Sequence, residues 1–128
     1  QLARVLGKVL FDLLGLNNKG KISESIEITT RSLISELDID LEKLVLIKRD
    51  ELIDTLLSKM GFNKGNLETL AEILMQTGDN FFEINNSHKG ESFSQTSLII
   101  YEYLEKSDNT YSFERKEKIE KLKALLNS

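Results

Sequence analysis

Residues 72–105, Glu72-Ile-Leu-Met-Gln-Thr-Gly78-Asp-Asn-Phe81-Phe-Glu-Ile-Asn-Asn-Ser-His88-Lys-Gly-Glu-Ser-Phe93-Ser-Gln-Thr-Ser97-Leu-Ile-Ile-Tyr101-Glu-Tyr-Leu104-Glu105, decide the fold class of this chain. Taken back to Leu67, the first half places Leu67, Leu70, Ala71, Leu74, Met75, Gly78 and Phe81 at steps of three and four, the spacing of one buried helix face. Glycine costs a helix interior about 1 kcal/mol relative to alanine, so Gly78 within that stripe marks a place where a neighbouring helix comes close. In the second half Phe93, Ser97, Tyr101 and Leu104 share one face, with a small residue one turn before a ring. The two halves read as a helical hairpin joined by the polar stretch Ile84–Gly90.

The same periodicity extends outward. A first helix is predicted over about Leu2–Leu14, with Leu2, Val5, Leu6, Val9, Leu10, Leu13 and Leu14 as its apolar face and Gly15 and the Asn17–Gly20 stretch as its stop. Ile22–Leu37 forms a second, with Ile22, Ile26, Thr29, Leu33 and Leu37 inward, and Asp38 and Asp40 are caps for a short turn from Leu41 to Ile47. A helix from Asp50 to Met60 ends at Gly61. Asn66 is the expected cap of the fifth helix, and the sixth spans Glu91–Lys106. The last, Ser112–Leu126, sets Phe113, Ile119, Leu122, Leu125 and Leu126 against a side that includes Glu114, Arg115, Lys116 and Lys118. No segment alternates with a period of two over a strand's length, and the chain has no proline.

Leu74, Gly78 and Phe81, followed by Ser97, Tyr101 and Leu104, resemble the small and large positions of a tetratricopeptide repeat. The chain departs from that pattern in the long Ile84–Gly90 loop, in Ser97 where alanine is usual, and in the missing closing proline. Glu24–Leu33, with Ser25, Thr29 and Ser32 at small and medium positions, resembles another second helix, paired with the helix from Leu2 to Leu14. The order of parts is similar to that of small uncharacterised bacterial all-helical proteins with degenerate repeat hairpins. The resemblance implies a TPR-like fold without an established activity.

Composition sets the outer bounds. A chain of 128 residues suits one domain, residues 1–128, large enough for its own core. It has no cysteine, which excludes disulfides, thiolate metal sites and cysteine nucleophiles and makes a cytoplasmic location the expectation. Its net charge is −4, from 17 basic and 21 acidic residues mixed along the chain, which disfavours nucleic acid or an anionic membrane as partner. No apolar run approaches the roughly 20 residues of a membrane span. The start at Gln1 in place of methionine leaves room for an earlier segment and any targeting signal in it.

Several local patterns suggest chemistry and fail on context. Gly15-Leu-Asn-Asn-Lys-Gly20-Lys21 has the glycine and lysine spacing of a phosphate-binding loop, but a leucine-rich helix precedes it and Ile22 stands where a Ser or Thr should hold magnesium. Asp38, Asp40 and Glu42 alternate like calcium ligands, yet Lys43 and Arg49 occupy the positions that need glycine and glutamate. His88, the only histidine, falls in the polar loop and is expected to be solvated. Asn85-Asn86-Ser87 has the form of a glycosylation acceptor that a cytoplasmic bacterial chain would not use. Phe81, Phe82, Phe93, Tyr101 and Tyr103 are candidates to line a peptide groove between the fifth and sixth helices; aromatic stripes at helical spacing usually pack internally, so Phe82 and Tyr103, which fall off the stripes, are the candidate partner-binding residues.

The sequence therefore leads to an all-α protein of about six or seven antiparallel helices, stacked as TPR-like hairpins in a right-handed array. The expected role is non-catalytic binding of a protein or peptide, with no cofactor, no metal and no catalytic residue. The alternatives are a small-molecule binder or enzyme of unknown class, and a homo-oligomer paired through exposed leucines of the first helix.

Overall fold

Seven helices and no strand make up the computed structural model, which describes residues 1–128. They are α1 (Leu2–Asn18), α2 (Ile22–Leu37), α3 (Leu41–Leu44), α4 (Arg49–Asp54), α5 (Lys64–Glu83), α6 (Ser87–Ser107) and α7 (Phe113–Leu126), and α4 runs on into a π-helical turn, Thr55–Lys59. The stripes read from the sequence are the buried ones: Val5, Leu6, Val9 and Leu13 in α1, Leu67, Leu70, Leu74 and Phe81 in α5, and Phe93, Tyr101 and Leu104 in α6. These side chains join Leu33, Leu41, Leu52, Leu56 and Phe62 in one contiguous cluster. Burial of each leucine contributes about 1.5–3 kcal/mol.

The helix ends correct five expectations. α1 does not stop at Gly15 but continues to Asn18 and turns at Gly20, whose φ of +73° suits glycine. Half-buried Leu16 and Asn17 supply contacts that offset the cost of an interior glycine. Asp38 does not cap α3; it ends α2 in a left-handed conformation with φ +56°, while the Ile39 N–H bonds the Leu33 carbonyl at 3.0 Å. Asp40 alone caps α3, accepting from the Glu42 N–H at 3.0 Å. Asn63, not Asn66, caps α5: its extended backbone lets Oδ1 accept from the Asn66 N–H at 2.8 Å, and Asn66 itself is buried in the first turn. The Ile84–Gly90 loop shrinks to Ile84–Asn86, because left-handed Asn85 (φ +65°) reverses the chain and Asn86 caps α6 by accepting from the Lys89 N–H at 3.2 Å.

The fifth correction concerns α7. Arg115 was expected on the solvent side and Phe113 inside, but Arg115 is 5% exposed and Phe113 is 63% exposed. Arg115, Ile119 and Leu122 lie at steps of four and three, so the face that turns inward begins with the arginine. Ser112 caps α7 as its position suggests, accepting from the Arg115 N–H at 3.1 Å.

α5 and α6 pack along their length as a central hairpin, α1 and α2 form a second hairpin laid on α5, and α7 lies against α6. The close approach foreseen at Gly78 is present, since a Cβ there would stand 2.7 Å from Ser94 Oγ. Gly90 plays the reciprocal part, lying beneath the Phe82 ring. Phe81 and Phe93 meet edge to face at 5.0 Å. Two polar contacts fix the helices' relative positions: Ser97 Oγ donates to the Ala71 carbonyl at 2.7 Å, and Asn80 Nδ2 donates to Asn17 Oδ1 at 3.0 Å and to Ser25 Oγ at 3.3 Å. Ser97, at the position where a repeat has alanine, thus gains a partner that alanine lacks.

Candidate functional site

The core side of α6 carries Phe93, Ser97, Tyr101 and Leu104, so its far side presents Ser92, Thr96, Ile99 and Tyr103 at steps of four, three and four. Over this far side lies an open groove of about 550 Å³. Thr96 and Ile99 of α6 contribute its floor; Val45, Ile47 and Arg49, from the joint between α3 and α4, make one wall; Leu126 of α7 closes the other. His88 and Glu91 stand at the α6 N-terminal end.

The sequence puts the joint in place through its caps and ion pairs. Asp40 starts α3, and Glu42 in its first turn pairs with Lys89 of α6 at 3.0 Å, while the Lys89 ammonium also lies 5.4 Å from the Phe81 ring centroid. That contact ties the groove wall to its floor. Arg49 differs from the other three arginines. Arg4 bonds Gln1, Arg31 pairs with Glu27 and Arg115 is enclosed by carboxylates, but the Arg49 guanidinium has no side-chain partner. A guanidinium without a partner beside apolar Val45, Ile47, Ile99 and Leu126 offers a charged anchor and an apolar bed to the same ligand.

The two candidate residues separate. Tyr103 is half-buried one turn beyond Ile99, packed against the core, and does not line the groove. Phe82 packs over Gly90, thirteen residues earlier, which at 1.5 Å per residue is about 20 Å away along the helix. They do not line one groove. Phe81, Phe93 and Tyr101 are core residues, as their stripes indicate.

The other patterns resolve into structure. Gly15–Asn18 are helical, so the phosphate-loop spacing forms no cradle. Asp38, Asp40 and Glu42 serve a helix end, a cap and an ion pair, and no group of three or more metal-ligating side chains is present. His88 lies in the first turn of α6 and not in a loop, exposed at the groove's edge.

Beneath α7 the sequence reading missed a charged seat. The Arg115 guanidinium reaches Asp108 at 2.9 Å, Glu68 at 3.2 Å and Glu105 at 3.3 Å. Burial acts to lower its pKa, but the hydrogen bonds to Glu68 and Asp108 outweigh it and raise the pKa above the usual arginine value. One turn on, Lys118 bonds Glu72, which also accepts from Gln76 at 2.7 Å and from the Tyr101 hydroxyl at 3.2 Å. Burial acts to raise the Glu72 pKa, and the bonds from Lys118 and Gln76 bring it below the ordinary value. Tyr101, buried and facing Glu72 and Glu68, is pushed well above its ordinary range. The signal for this seat was the arginine one turn before Ile119, on the same face.

Comparison with known protein families, curated proteins and solved structures finds no match for this chain. No helix is long and apolar enough to cross a membrane.

Proposed function

We propose that this chain is a non-catalytic interaction module that holds a segment of another protein in the groove over α6. The observation that carries this reading is the pairing of an unpartnered Arg49 with the apolar Val45, Ile47, Ile99 and Leu126 in one open concavity. A segment with apolar side chains and a carboxylate, from Asp, Glu or a chain terminus, satisfies both. The TPR-like arrangement belongs to the same proposal, supported by the small residues Gly78 and Ser97 at the α5–α6 contact and by the three-residue turn between those helices. A cytoplasmic bacterial setting, without nucleic acid or membrane, remains part of the reading, supported by the cysteine-free composition and the mixed charge. The test is capture of partners by tagged wild type against Arg49→Glu and Ile99→Asp. A partner lost with both variants supports the groove; a partner retained by both refutes it.

One observation favours a second reading, self-association through α1. Leu6 and Leu13 of α1 are buried and Leu2, Leu10 and Leu16 half-buried, but Phe11 is 77% exposed, and Leu14 is exposed beside it. Sedimentation equilibrium of wild type against Phe11→Glu decides this: a dimer that dissociates in the variant supports it, and a wild-type monomer removes it.

A further inference from the structure

We infer that the acidic face shared by α5 and α6 is a docking surface for a basic helix of a partner protein, and that α7 is the copy of such a helix that the chain carries itself. The acidic side chains of this face do not line the groove, but α7 contributes Leu126 to the groove wall, so its displacement opens that wall.

The seat and its occupant are complementary along the length of α7. Arg115 meets Glu68, Glu105 and Asp108, and Lys118 meets Glu72. Lys123 lies 3.7 Å from Glu102 and Lys121 lies 4.0 Å from Asp79. Every one of these acids belongs to α5, α6 or the residue directly after α6, and every base belongs to α7. The apolar part is small: Ile119 and Leu122 are buried, and Leu126 is partly buried against the core. α5, by contrast, buries a stripe of leucines. Charge supplies much of what holds α7 in place: the Arg115 pairs are enclosed, whereas the outer Lys121–Asp79 and Lys123–Glu102 pairs are exposed and weaken with salt.

The recognised pattern is read directly from α7: Arg, Lys, Ile and Leu at i, i+3, i+4 and i+7, as in Arg115, Lys118, Ile119 and Leu122. A partner helix with this pattern competes with α7, which the short Asp108–Ser112 connection keeps at an effective concentration on the order of millimolar. The exposed Tyr111 and Phe113 flank the start of α7, so its displacement breaks no buried aromatic contact at that end.

The test is fluorescence anisotropy with a labelled synthetic peptide of residues 111–128, added to the full-length chain carrying Arg115→Gln, which loosens α7 in cis while leaving the acidic seat intact. The peptide is expected to bind this chain at low ionic strength, at least about tenfold more tightly than it binds wild type. Binding should fall at least about tenfold at ~0.5 M salt and vanish for a peptide with Arg115→Glu and Lys118→Glu. Absence of binding to an Arg115→Gln chain of unchanged helicity overturns the proposal, as does equal binding of the charge-reversed peptide. If Arg115→Gln fails to fold, the full-length Lys121→Glu/Lys123→Glu chain, altered only at outward-facing pairs, is read against the same outcomes.

Discussion

Gly78 of α5 lies directly beneath Ser94 of α6: a Cβ on the glycine would stand 2.7 Å from the serine Oγ, 3.2 Å from its backbone nitrogen and 3.2 Å from the Gly90 carbonyl oxygen. Two of those three atoms are backbone and cannot swing aside. Gly78→Ala is therefore expected to lower stability by about 1–3 kcal/mol in urea unfolding, although alanine is the better helix former. The Ser94 hydroxyl is buried without a hydrogen-bond partner, so Ser94→Ala alone should be neutral or stabilising by up to about 1 kcal/mol. The double variant should be more stable than Gly78→Ala; if it is not, the hydroxyl is not the limiting contact.

Gly7 and Gly15 of α1 give the opposite expectation. A Cβ at either position meets nothing within 4 Å. Gly7→Ala and Gly15→Ala should each raise stability by up to about 1 kcal/mol, from helix propensity alone. A loss of stability at either position in the same unfolding assay would show that the glycine has a contact in solution that the isolated chain does not make.

Asn80 joins the two hairpins through its bonds to Asn17 and Ser25. Asn80→Ala removes both and leaves a void where the amide was, with an expected cost of about 2–3 kcal/mol. Hydrogen exchange should accelerate most in α1 and α2, whose attachment to α5 this residue holds. Uniform acceleration across all helices would contradict that local role.

Acidification should weaken the α7 seat. Burial acts to raise the Glu72 pKa, but the bonds from Lys118 and Gln76 leave it lowered, while the Thr110 backbone N–H and Arg115 lower that of Asp108. A carboxylate with a depressed folded pKa stabilises the fold above its unfolded value and loses that contribution as pH falls through the folded one. The loss should begin below the ordinary values of 4.5 for Glu72 and 3.8 for Asp108. Asp79 acts in the reverse sense: burial raises its pKa, so its ionised form opposes folding at neutral pH and Asp79→Asn should modestly raise Tm there. Thermal scans from pH 7 downward check both, and a Glu72→Gln chain with an unchanged acid limb would refute the first.

Phe82 and Tyr103 should respond differently to truncation. Phe82→Ala uncovers Gly90 and is expected to destabilise by about 2–4 kcal/mol while leaving groove binding intact. Tyr103→Ala, one turn beyond the groove-lining Ile99, should weaken partner capture more than it weakens the fold. Chemical denaturation beside a binding titration separates the two, and equal loss of binding in both would refute the distinction.

Much of the architecture was legible because helix periodicity is local. Leu67 through Phe81 and Phe93 through Leu104 each define a buried face from their spacing, and Gly78 marked the close crossing because a glycine has little other reason to lie in an apolar stripe. Caps were less legible. Asn63 and Asn66 are the same residue type three positions apart, and only the backbone conformation distinguishes the cap from the residue it bonds. The loop before α6 was overestimated because Asn85 and Asn86 read simply as polar, although one reverses the chain and the other starts a helix.

The sequence by itself determined the all-helical class, the stripes that become the core and the close approach at Gly78, since each follows from side chains within a few turns of one another. Tertiary structure alone decided that Arg115 turns inward and that Arg49 stands without a partner in a groove it shares with Val45, Ile47, Ile99 and Leu126. Those properties depend on groups brought together from distant parts of the chain, as Glu68 is to Arg115, and a charge is costly or favourable to bury according to neighbours that sequence spacing does not name.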